Sequence, residues 1–232
     1  GLRGGRADLL HDLHLVDGRL LRTSRDGRAG RNAGVLEDYA DVAEGLLALF
    51  AVSADPARLA EAQALLDVVL EHFPDGSGGF YDTADDAEQL IRRPQDPTDN
   101  ATPSGLAAAA GALLTCAAMT GSQPYRIAAE RAVGTVGPLI SRQARFAGWA
   151  AAVGEALLAG PAEVVVLDRP DLLAVARLGT APGAVVVTAG PLTEGRPAGA
   201  AYVCRGFACE MPTTDVARLQ EQVQVAAVHR QR

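Results

Sequence analysis

Between residues 36 and 50 the apolar positions Leu36, Tyr39, Ala40, Ala43, Leu46, Leu47 and Phe50 recur at offsets of 0, 3, 4, 7, 10, 11 and 14. This spacing predicts a helix with one apolar face. Ser53-Ala-Asp-Pro56 interrupts the pattern and restarts it, Pro56 suiting a first helical turn. Leu59, Ala62, Leu65, Leu66, Val69, Leu70 and Phe73 then predict a second helix, ended by Pro74-Asp-Gly-Ser-Gly-Gly79. Ser104–Met119 is apolar almost all round and predicts a buried third helix. After the break at Thr120–Pro124, Tyr125–Ile140 and Phe146–Leu158 predict a fourth and a fifth.

The first two pairs of helices look like one unit repeated. A shift of 68 residues without a gap lays Leu46 on Leu114, Pro56 on Pro124, Arg58 on Arg126 and Leu59 on Ile127, and lays Leu36 on Ser104. Helical hairpins that stack side by side and share a core produce such a repeat. Beyond Pro161 the pattern changes. Val164–Leu167 and Ala184–Val187 are short β-branched runs, and Asp171–Leu178 between them has helical character. A strand–helix–strand unit with parallel strands is expected there, with a further strand at Ala200–Cys204. Thr213–Val225 predicts a closing helix capped by Thr213 or Thr214, and the tail from Ala226 is expected to fray. At the other end, Ala7–Leu15 reads as the end of a helix, while Asp17-Gly-Arg-Leu20 and Arg25-Asp-Gly27 are turn signals. The expected fold is therefore mainly α. A helical-hairpin region over residues 1–160 is followed by a small α/β region over residues 161–232.

Composition narrows the function classes. All 21 basic residues are Arg, so Schiff-base chemistry and a P-loop, both of which need lysine, are excluded for this chain. The net charge of −7 lacks the basic face that nucleic acid requires. Three cysteines do not make a disulfide scaffold. No apolar stretch reaches the roughly 18 residues of a membrane span, and the first residues have no apolar signal core, so a cytoplasmic location is expected. The chain opens on Gly rather than Met, which points to a fragment or a processed product.

The candidate chemistry gathers at helix starts. Leu36-Glu-Asp-Tyr-Ala40 places Glu37 and Asp38 in a first helical turn. Acidic side chains there favour the positive end of the helix dipole; alternatively a carboxylate and the Tyr39 hydroxyl line a pocket. Phe80-Tyr-Asp-Thr83 follows a glycine-rich loop, and Asp99-Asn-Ala-Thr-Pro-Ser104 leads into the third helix. Thr102 or Ser104 can cap that helix, which leaves Asp99 and Asn100 for a ligand. The repeat sets Glu37, Asp38 and Asp99–Thr102 at the same end of neighbouring helices. Glu37, Asp38 and Asp99 are accordingly the candidate catalytic residues; Tyr39, Tyr81, Asp82, Arg92, Asn100 and Thr102 are the candidate binding residues. Arg92 and Arg93 can clamp a carboxylate or pair with Asp85, Asp86 and Glu88. Cys204 and Cys209 are too few for structural zinc, and two unlinked thiols are expected. Cys116 reads as packing. His11 and His14 lack a third metal ligand and read as surface residues, His72 suits a helix end, and Trp149 reads first as core and second as a sugar-stacking ring. No metal or cofactor is expected.

Leu36-Glu-Asp-Tyr-Ala40, Gly78-Gly-Phe-Tyr-Asp-Thr83, Ala101-Thr-Pro-Ser-Gly105 and Val203-Cys-Arg-Gly-Phe-Ala-Cys-Glu-Met-Pro-Thr-Thr-Asp215 occur in this order. Together they resemble the carboxy-terminal part of the YyaL-type, thioredoxin-domain-containing proteins related to spermatogenesis-associated protein 20. The resemblance runs over most of residues 8–222. It implies a partial (α/α) toroid of the six-hairpin type, similar to sugar epimerases. The chain departs from that family in having no Cys-x-x-Cys and no thioredoxin-like stretch, and in lacking the first hairpins, so no redox function carries over. Two functions remain: a toroid that binds or acts on a small saccharide, or a non-catalytic interaction domain that holds a thioredoxin-like domain or partner protein. Neither nucleic acid nor membrane is expected as a partner.

Overall fold

A computed structural model describes residues 8–88, 91–206 and 208–224. Helices α1 (Leu36–Ser53) and α2 (Pro56–His72) form one hairpin, and α3 (Gly105–Thr120) and α4 (Gln123–Gln143) form a second. Helix α5 (Gly148–Ala159) follows a single 3₁₀ turn at Ala144–Phe146. Moving α1 and α2 along by 68 residues reproduces the bounds of α3 and α4 to within three residues. Helices α1, α3 and α5 form an inner row, α3 touching both of the others; α2 packs on α1 from outside and α4 on α3 and α5. This alternation of inner and outer helices is the hairpin layout the repeat implied.

Local chemistry explains the boundaries. Asp55 caps α2 by accepting from the Ala57 N–H at 3.0 Å, with Pro56 in the first turn. Ser104 caps α3 by accepting from the Ala107 N–H at 3.2 Å. Ala54 and Gly121, both left-handed, end α1 and α3. All seven positions of the predicted α1 stripe are buried. Eleven of the sixteen residues of α3 are buried, as a helix enclosed by α1, α4 and α5 requires.

Ahead of α1, the helical turn through His14 leads into two short hairpins, β1 (Leu15–Val16) with β2 (Arg19–Leu20) and β3 (Ser24–Arg25) with β4 (Arg28–Ala29). Their turns are the dipeptides Asp17-Gly18 and Asp26-Gly27, all four residues at positive φ, the backbone that two-residue hairpins need.

After α5 comes a four-stranded sheet of β5 (Ala162–Val166), β6 (Val185–Val187), β7 (Ala201–Arg205) and β8 (Ala208–Cys209), in the order β6-β5-β7-β8. Strands β5 and β6 are parallel and linked through α6 (Pro170–Ala176). Strand β7 runs antiparallel to β5, and β8 antiparallel to β7. Both faces of the sheet are covered, which explains the apolar run Val164–Val166 in β5. Val165, Val185 and Val187 join the helical core, while Val164, Val166 and Val203 pack with Leu172 and Leu219 beneath α6 and α7 (Val216–Gln222). No described helix is long and apolar enough to cross a membrane.

Two expectations are corrected here. The closing helix is capped by Asp215, whose carboxylate accepts from the Arg218 N–H at 2.8 Å, and not by Thr213 or Thr214. Thr213 is held extended by a reciprocal pair of backbone hydrogen bonds to Ala201 at 2.9 and 3.0 Å, so the helix cannot start there. The end expected at Val225, and the tail from Ala226, lie outside the described residues, as does Ala7. Cys204 and Cys209 are joined in a disulfide rather than left as two thiols. The hairpin explains it: Arg205 pairs with Ala208, so the cysteines face each other one position back, at a site without ladder hydrogen bonds where side chains approach most closely.

Candidate functional site

The starts of the inner helices converge. A methyl group on Gly105 would come within 3.3 Å of the Glu37 backbone nitrogen, so α1 and α3 begin against each other. One Asp99 carboxylate oxygen accepts from the Ser104 N–H at 2.9 Å and the other from the Trp149 N–H at 2.8 Å. That side chain ties the lead-in of α3 to the first turn of α5. Glu37, Asp38 and Asp99 therefore share one end of the helix row, and each is already engaged. Asp38 accepts from the Val35 N–H at 2.8 Å and so caps its own helix, and Glu37 pairs with Arg22. Asn100 and Thr102 are exposed on the connecting loop, where the Asn100 N–H donates to the Thr102 carbonyl at 2.9 Å.

The remaining candidates point elsewhere. Tyr39 is 1% exposed, edge-on to Phe73, and its hydroxyl oxygen accepts from the Leu20 N–H at 2.9 Å and from Arg19 at 3.1 Å. It anchors the β1–β2 hairpin to α1. Tyr81 lies under the Arg93 guanidinium at 4.2 Å. The Asp82 carboxylate accepts from the Asp96 N–H at 3.0 Å, and its backbone carbonyl accepts from the Leu36 N–H at 2.9 Å. Arg92 is exposed. Arg93 donates to the carbonyls of His72 and Thr83. Two of the three acids offered as alternative partners for these arginines are engaged elsewhere: Asp86 takes a two-pronged bond from Arg19, and Asp85 faces His72 at 2.8 Å. The Arg19 guanidinium holds the Asp86 carboxyl below the usual range. His72, Asp85 and Asp86 lie close enough together to share a cation, but the bond from Arg19 already neutralises Asp86.

One to two turns farther along α1, a cleft of about 630 Å³ opens between α1, α3 and α5. Asp41 and Glu44 form one wall; Pro103, Ala108, Ala112, Thr115, Trp149 and Val153 form the others. Glu44 is the deepest acid. Thr115 donates a long hydrogen bond of 3.4 Å to its Oε1, while its Oε2 is buried without a partner. Burial raises the Glu44 carboxyl above the ordinary range, and the nearby charge of Asp41 adds to the shift. Asp41, at the rim, is raised first by partial burial and then by Glu37 and Asp38. Trp149 is 48% exposed and stands at the cleft rather than in the core, a correction to its first reading. Its indole lies close against α3 at Gly111, where an added methyl would stand 3.1 Å from Trp149 Nε1.

The sequence reading missed Asp41 and Glu44. A signal existed: Glu37, Asp41 and Glu44 recur at i, i+4 and i+7, an acidic stripe down one flank of a helix whose other flank is apolar.

No protein-family model matches the chain. Over 124 residues, half of this chain, it is 35% identical to spermatogenesis-associated protein 20 of Homo sapiens and 34% identical to that of Rattus norvegicus. The matched part amounts to 16% of each relative's length, so the chain is related to a segment of a much longer protein.

Proposed function

We propose that the chain is the ligand-holding helical segment of a protein of the YyaL and spermatogenesis-associated protein 20 kind, and that it binds a small saccharide in the cleft between α1, α3 and α5. The observation that carries this reading is the buried, unpartnered Oε2 of Glu44 in a cleft that Trp149 flanks. A cleft of about 630 Å³ is in the range used for small ligands. The Glu44 carboxyl, which burial raises above the ordinary range, and the Asp41 carboxyl offer oxygens to sugar hydroxyls, and the indole offers a flat apolar face to a sugar ring.

The arrangement favours binding over hydrolysis. Glycoside cleavage needs two carboxyl groups flanking the scissile bond. Asp41 and Glu44 lie three residues apart on one helix and form a single wall, while the facing residues Pro103, Ala108, Ala112 and Val153 carry no acid. Epimerisation asks for an acid and a base on opposite sides of a carbon, and no histidine lines the cleft among the described residues. In this reading Glu37, Asp38 and Asp99 hold the helix starts beside the cleft, with Asn100 and Thr102 exposed on the connecting loop.

Thermal melts with a panel of mono- and disaccharides test the proposal. A binder raises the melting temperature with ligand concentration, and Glu44→Ala removes the shift. A second reading, an interaction segment that holds a thioredoxin-like domain or another partner protein, is favoured by the small share of the relatives that the match covers. A panel without effect on the wild-type melting temperature would leave that reading in place of the first.

A further inference from the structure

The Cys204–Cys209 disulfide belongs to a second cluster, separate from the cleft. We infer that it is a thiol–disulfide exchange site, reduced by an external dithiol through attack on Cys209, with Cys204 as the leaving thiolate and Arg196 as the group that holds its charge. The two sulfurs sit in different surroundings. Cys209, on the short edge strand β8, is exposed; Cys204, in β7, is 2% exposed. An incoming thiolate therefore reaches Cys209 far more easily than Cys204.

Arg196 completes the arrangement. Its Nη2 lies 3.3 Å from Cys204 Sγ and 3.9 Å from Cys209 Sγ, and its guanidinium stacks over the Tyr202 ring at 5.1 Å. Its Nη1 is buried without an acceptor. A disulfide sulfur is a weak acceptor, so Arg196 gains little from it. A thiolate is a full charge and a strong acceptor, so the same guanidinium favours the reduced, ionised Cys204 over the disulfide. Glu163, across from Cys204 in β5, also faces this cluster; burial raises its carboxyl, and Arg196 and Arg126 act against that rise.

A thiolate of the dithiol bonds to Cys209 Sγ, the Cys204–Cys209 bond breaks, and its electron pair leaves on Cys204 Sγ beside Arg196. The reductant's second thiolate then displaces Cys209 from the mixed disulfide, and the pair leaves on Cys209 Sγ, which takes up a proton. The dithiol becomes a disulfide, and the protein gains two electrons.

The 232-residue chain is equilibrated with graded ratios of reduced to oxidised dithiothreitol, alkylated and weighed, with circular dichroism recorded in parallel. Two adducts with an unchanged spectrum are expected; a third, on buried Cys116, reports unfolding. Arg196→Gln is expected to require a ratio roughly tenfold higher for half-reduction, the scale of one charge-assisted hydrogen bond, and Arg196→Lys to restore most of the difference. A further pair of variants does not depend on Arg196. Cys204→Ser, which leaves Cys209, is expected to form a mixed disulfide with oxidised glutathione at least about tenfold faster than Cys209→Ser, which leaves Cys204. Reduction only together with unfolding, equal ratios for wild type and Arg196→Gln, or faster reaction of Cys209→Ser each overturns the assignment.

Discussion

Two groups of acids lie on the same row of inner helices and have opposite fates. At the helix starts, Asp38, Asp99 and Glu37 are filled with partners: backbone N–H groups for the two aspartates and Arg22 for the glutamate. One to two turns along α1, Asp41 faces solvent at the rim and Glu44 keeps a buried oxygen without a partner. The difference is a property of helices. The first turn exposes N–H groups that no backbone carbonyl satisfies, and acids placed there are drawn into capping. Mid-helix, every N–H is already taken, so an acid on an inward flank has only its neighbours or a ligand to meet. The acids closest to a helix start hold the fold, and those farther along remain open to chemistry.

Substitutions on the two sides should therefore change stability in opposite directions. The largest effect is expected for Asp99→Ala, which frees the N–H groups of Ser104 and Trp149 together; urea denaturation should show a loss of about 2 kcal/mol, two caps' worth. Asp38→Ala removes one such bond and should cost about 1 kcal/mol. Glu44→Gln should do the reverse. Its carboxyl is raised in the folded chain, so the folded state keeps a proton over a range in which the unfolded chain has lost it. Ionising it costs stability as pH rises through the folded value. The variant should thus be more stable by about 1 kcal/mol at neutral pH, and the gain should disappear as pH falls below the ordinary glutamate range. A loss of stability at neutral pH would mean that Glu44 has a structural partner after all. The smallest effect is expected for Gly111→Ala. The added methyl presses on the indole while improving helix propensity, so stability should stay within about 1 kcal/mol while Trp149 emission shifts.

The helices were legible because their signals are local. The α1 stripe and the breaks at Pro56 and Pro124 all sit within a few residues of what they determine, and the 68-residue repeat carried the pattern from one hairpin to the next. What depended on distant partners was harder to see. Thr213 has the side chain of a cap, but its backbone is claimed by Ala201 twelve residues away. The disulfide followed from the pairing of Arg205 with Ala208, which sets Cys204 opposite Cys209, a register that cysteine spacing alone does not reveal. At the site, the contiguous Glu37-Asp38-Tyr39 run drew attention to the helix start. That run correctly located the converging ends of α1 and α3, yet Tyr39 turned into the core. The open acids lay on the same helix at helical spacing, where a reading by adjacent letters passes over them.

Trp149 is the sole tryptophan of the chain and flanks the cleft, so its emission reports on that site alone. Titrating the protein with the saccharide that gives the largest thermal shift should change the emission saturably. Glu44→Gln should weaken binding roughly tenfold, the scale of one hydrogen bond to a buried carboxyl, while Glu37→Gln at the helix start should leave it within about twofold. No saturable change with any saccharide, or equal losses for the two variants, would contradict the assignment of the cleft as the binding site.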